Sequence, residues 1–115
     1  MQKRKIADII ETLDLKLISG AGGLQNEITG CYVSDLLSDV IGNAREGELW
    51  ITLQTHQNII AVASLKDLAA IILVRGLTAE EGTIEKSNLE NIPVLTTTLD
   101  TFSVAGILYQ LIKKK

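Results

Sequence analysis

One cysteine, one histidine, one proline and four aromatic residues are spread over 115 positions, so the chain is poor in the side chains from which most reactive sites are built. A lone Cys31 makes no internal disulfide, and one Cys with one His falls short of a tetrahedral zinc site. A reducing, cytoplasmic setting is expected, with no metal and no cofactor. Cys31 lies in an apolar strand context with no neighbouring base to lower its pKa, which reads as a structural thiol. No GxxxxGK[ST] is present, so the backbone cradle and lysine of a P-loop are missing. GxSxG, HExxH and CxxC are absent as well.

Positive charge is also scarce. Eleven basic against fourteen acidic residues give a net charge of −3, which offers no long-range attraction to phosphate backbones or anionic lipid. Nucleic acid is not expected as a partner. The longest uncharged stretch, Leu49 to Leu65, carries Thr52, Gln54, Thr55, His56, Gln57 and Asn58, each costly in hydrocarbon, so no membrane span is expected. The basic start MQKRK runs into Ile6, Asp8 and Glu11 without an apolar stretch, unlike a signal peptide. Lys113 to Lys115 complement a helix C-terminal dipole and otherwise read as a solvated tail.

Apolar residues, in contrast, are plentiful at 46% of the chain. That content excludes disorder and is enough for one domain, residues 1–115, close to the common domain size of about 100 to 150 residues. Ile6, Ile9, Ile10 and Leu13 recur at helical spacing and predict a helix over Arg4 to Asp14. Leu15 to Ser19 reads as a strand ended by Gly20, Gly22 and Gly23, and Ile28 to Val33 as a second extended piece. Ser34 or Asp35 is the expected N-cap of a short helix containing Leu36, Leu37 and Val40, closed off by Gly42 to Gly47.

From there apolar strands alternate with helical segments: Leu49 to Leu53, Asn58 to Leu68, Ala70 to Val74, Ala79 to Asn91, Val94 to Thr97, and Thr101 to Lys113. Strands such as Ala70 to Val74 are continuously apolar, as a sheet covered on both faces requires. The predicted fold is α/β, a three-layer βαβαβα parallel core with right-handed crossovers, an N-terminal helix and short extra strands. Thr78 and Glu81 have capping-box spacing before the middle helix. The helices over 59–68 and 102–112 are apolar nearly all round, which points to a homo-oligomer, most simply a dimer.

Two polar features stand out. SGAGG lacks the third glycine and the following helix of a dinucleotide loop, so it reads as a plain turn. The cluster Thr52 to Asn58 falls where the first core strand ends, and ligands of open α/β sheets bind at strand carboxyl ends. With parallel strands, Thr55, His56 and Asn58 share an edge with Arg75, Gly76, Asp100 and Thr101. That set offers a fixed charge, a switchable one and helix N-termini, chemistry matched to a small anionic metabolite or nucleotide. Structural roles account for the same residues: Thr55 or His56 starting a helix, Asp100 as N-cap, and Arg75 paired with a carboxylate.

The run IILVRGLTAEE (Ile71 to Glu81), with NIPVLTTTLDTFSVAGILYQL (Asn91 to Leu111), resembles the DRTGG domain and the related N-terminal domain of HPr kinase/phosphorylase. The likeness extends back to Leu15. The family's Asp-Arg and Thr-Gly-Gly are replaced here by Thr55 and His56 and by Val74, Arg75 and Gly76. Arg75, Gly76 and Leu77 are closer to the kinase version, and Asp100, Thr101 and Phe102 keep the family's DTF. The resemblance implies an α/β fold and, as the kinase's catalytic half has no counterpart here, a stand-alone, non-catalytic regulatory or sensor module. A pure docking module for a partner enzyme or kinase is the alternative, and a small enzyme using His56 a third.

Overall fold

In the computed structural model, which describes residues 4–113, five strands form one sheet between two layers of helices. Lys114 and Lys115 of the expected basic tail lie outside the described residues. The chain runs α1 (Ile6–Leu13), β1 (Lys16–Ser19), β2 (Gly30–Val33), α2 (Leu37–Asn43), β3 (Glu48–Thr52), α3 (Asn58–Leu65), β4 (Ala70–Leu73), α4 (Glu81–Glu90), β5 (Val94–Thr96) and α5 (Thr101–Lys113). Strand order is β1-β5-β4-β3-β2. β2 through β5 are parallel, with Trp50 beside Ile71 and Ile72 beside Leu95. β1 closes the β5 edge antiparallel, Lys16 opposite Thr96 and Leu17 opposite Leu95.

Strand alternation divides the core in two. Leu49, Ile51, Ala70, Ile72 and Leu95 meet Ile6, Ile9 and Leu13 of α1 and Val104 and Leu108 of α5. Trp50, Ile71, Leu73 and Val94 meet Val40 of α2 and Ile59, Ile60, Val62 and Ala63 of α3. Both faces are dry, which is why these strands are apolar throughout. Each fully buried Leu, Ile or Val contributes roughly 1.5–3 kcal/mol. The indole N–H of Trp50 donates to the Ser34 carbonyl at 2.8 Å, so the largest core side chain leaves no orphan donor.

The glycine-rich turn after β1 serves close packing. Gly20 has φ +79°, and a Cβ there would overlap the Ile92 carbonyl. Two predicted helix starts differ from the structure. Asp35 does not cap α2, whose N-cap Leu36 has no side-chain cap; its carboxylate instead accepts from the Thr52 hydroxyl and the Leu53 amide, at 2.8 and 2.7 Å. The Ser34 hydroxyl accepts from the Leu36 amide, at 3.1 Å. The Thr78–Glu81 capping box does not form either. α4 begins at Glu81 with Glu80 as N-cap, because Thr83 is buried and its hydroxyl donates to the Thr55 carbonyl at 2.7 Å. α3 stops at Leu65, three residues earlier than its apolar run suggests, and a turn carries Leu68 back into the core.

Candidate functional site

Because β2 to β5 are parallel, the segments that follow them emerge at one edge. α2, α3 and α4 pack on one face and α5 on the other. The chain leaving β4 and the chain leaving β5 therefore diverge to opposite faces from adjacent strands, the kind of place where open sheets accommodate ligands.

Main-chain hydrogen bonds lock these two connections together. The Arg75 amide donates to the Leu99 carbonyl and the Gly76 amide to the Thr97 carbonyl, both at 2.8 Å, and the Thr96 hydroxyl donates to the Leu77 carbonyl at 2.6 Å. Arg75 and Gly76 are both left-handed, with φ 59° and 73°. That conformation is unusual for an arginine and holds its exposed side chain at the rim. Asp100 accepts from the Ser103 amide at 2.8 Å. That bond, the Ser103 hydroxyl and the positive charge of Arg75 hold its carboxyl below the usual aspartate range. Asp100 thus caps α5 and faces Arg75, while Thr101 is the first residue of that helix.

The β3 end forms a second group. The Thr55 carbonyl accepts from the Glu80 amide at 3.2 Å as well as from Thr83, joining this connection to the start of α4. His56 Nδ1 accepts from the Asn58 amide at 3.0 Å and so caps the first turn of α3. Arg75, Gly76, Asp100 and Thr101 therefore come together, and Thr55, His56 and Asn58 form a neighbouring cluster on the same edge. The capping readings of His56 and Asp100 are both realised.

Asp35, Glu80 and Thr83 organise this edge and escaped sequence reasoning, since their partners lie 17 to 28 residues away. A groove of about 650 Å³ opens beside the β5 end, lined by Leu13 to Lys16, Gly76 and Thr96 to Leu99. Of the seven expected residues only Gly76 lines it. A hollow of about 680 Å³ at the opposite edge carries Glu27, Glu46, Asp67 and Glu90, the wrong sign for an anion. Among the described residues no cluster of three or more His, Cys, Asp or Glu is placed to hold a metal, and no helix is long and apolar enough to cross a membrane. Cys31 is half-buried against the core on the α1 and α5 side.

Residues 8–111 match the DRTGG domain family. A crystal structure of the CBS and DRTGG domains of the regulatory region of Clostridium perfringens pyrophosphatase, complexed with the activator diadenosine tetraphosphate, is similar to this chain with a TM-score of 0.71 and 22% identity. The match covers 90% of this chain and 45% of that one, a likeness of fold. No curated protein sequence matches the chain.

Proposed function

Because the chain belongs to the DRTGG domain family, we propose that it is a non-catalytic regulatory module that senses a small anionic metabolite or nucleotide at the carboxyl edge of its sheet. The observation that carries this reading is the pinned pair of connections after β4 and β5, which fixes Arg75 at the rim beside Asp100. A cation held in place by its backbone loses less conformational freedom on binding an anion than one on a loose loop. The pyrophosphatase regulatory region that shares the fold was crystallised with a nucleotide activator, which supports the ligand class. Occupancy at this edge would bear on both helical layers, because the two connections lead to α4 and α5. The test is thermal denaturation against a panel of nucleotides and phosphorylated metabolites. A ligand at a hundredfold its Kd stabilises by about 2.7 kcal/mol, and a panel without effect removes the sensing role.

A docking module is the second reading, favoured by the outer side of α5. Phe102 is 87% and Tyr109 62% exposed, and Gly106 lies between them on the same helical face. Such a stripe fits a second copy of the chain or a partner enzyme or kinase.

A further inference from the structure

The groove beside β5 extends the sensing proposal, on which it rests, to particular side chains. β1 is an edge strand paired only with β5, and Lys16 stands directly opposite Thr96 in that ladder. Directly opposed residues of antiparallel strands project to the same face, their Cβ atoms about 5 Å apart. Thr96 faces the α4 side, where its hydroxyl meets the Leu77 carbonyl. Lys16 is therefore directed to that side too. α4 does not cover this corner: its contacts with β1 and the turn after it are at the far end, where Ser19 bonds Ser87 and the Gly20 amide bonds Asn88. At the near end the lining is Leu13 to Lys16, Asp14 included, and the Thr96 to Leu99 segment, while the Leu13 and Leu15 side chains are buried in the core on the α1 and α5 side. A Cβ placed on Gly76 would meet nothing within 4 Å, so the mouth is open there. The exposed Thr98 hydroxyl makes no hydrogen bond among the described residues, leaving a donor free.

We propose that this groove is the ligand seat, with Lys16 and Thr98 holding the anionic group of a nucleoside-monophosphate-sized molecule. Its volume of about 650 Å³ falls in the range of small-molecule sites, about 300–1,000 Å³. Gly76 joins it to the exposed Arg75, a second positive charge beside Lys16 that offsets the Asp14 carboxylate in the lining. Lys16 thereby does more than blunt an exposed sheet edge.

The experiment is amide chemical-shift mapping of the whole chain with AMP and with inorganic phosphate, repeated on Lys16→Ala, Lys16→Arg and, as a control outside the groove, Lys86→Ala. AMP is expected to move the amides of Leu15, Lys16, Gly76 and Thr98. Phosphate should move fewer of them at higher concentration, being the smaller probe with fewer groups to contact. Lys16→Ala should weaken AMP about tenfold, as loss of a charge-assisted contact does, while Lys16→Arg retains binding and Lys86→Ala changes nothing. Shifts confined to Thr55 to Asn58, with Lys16→Ala without effect, overturn the groove and leave the sensing reading standing. Shifts nowhere with either probe overturn the groove as well, and the thermal panel decides the sensing reading separately.

Discussion

The backbone amide of Arg75 reaches across the sheet edge to the carbonyl of Leu99, at 2.8 Å. Through that bond the connection leading to α4 and the connection leading to α5 behave as one piece, although the helices lie on opposite faces of the sheet. A ligand resting on Arg75 or Gly76 would touch both connections, which is the coupling that the proposed sensing role requires.

Asp100 gives the edge a pH dependence of known sign. Its carboxyl is held below the usual aspartate range by the Ser103 amide, the Ser103 hydroxyl and Arg75. A carboxyl lowered in the folded state adds stability above its unfolded pKa and loses it as pH falls through the folded value. Thermal denaturation from neutral to strongly acidic pH should show wild type above Asp100→Asn at neutral pH. The gap should close only below the ordinary aspartate range. A gap independent of pH would contradict this.

Gly20 has no room for a side chain, being left-handed and pressed on the Ile92 carbonyl. Gly20→Ala should cost roughly 2–5 kcal/mol, from the left-handed conformation and the overlap together. Gly42→Ala, where a Cβ meets nothing within 4 Å, should be far milder. Urea denaturation of the pair checks both.

Much of this architecture was legible in the residues. The unbroken apolar runs at Leu49 and Ala70 follow from helices on both faces, and the α1 stripe of Ile6, Ile9 and Leu13 is a local 3.6-residue pattern. The starts of α2 and α4 were not legible, because tertiary bonds decide them, whereas α3 and α5 begin at Asn58 and Thr101 as their residues indicate. Thr83 turns its hydroxyl to Thr55, and Asp35 turns away from its own helix to Thr52 and Leu53. A local capping pattern at Thr78 or Asp35 carries no trace of partners that distant. The shared edge of Thr55, Arg75 and Asp100 followed from parallel pairing alone. Lys16 joins that edge only because β1 runs antiparallel beside β5, a pairing that a short strand near the N-terminus does not announce.

The outer face of α5 gives a separate prediction for the docking reading. If Phe102 and Tyr109 meet a second copy, light scattering at micromolar concentration should return a dimer. Phe102→Glu with Tyr109→Glu should return a monomer that unfolds in the same cooperative manner, since Val104 and Leu108 hold α5 to the core. A wild-type monomer would remove self-association.

Arg75 is the residue on which the proposed sensing role turns. Being exposed, it adds little to stability, and Arg75→Ala should melt close to wild type. The most direct measurement is calorimetric titration of wild type and Arg75→Ala with whichever panel compound raises the melting temperature. Saturable binding to wild type that is lost in Arg75→Ala, with the melting temperature unchanged, is the predicted result; equal binding to both proteins would contradict the account.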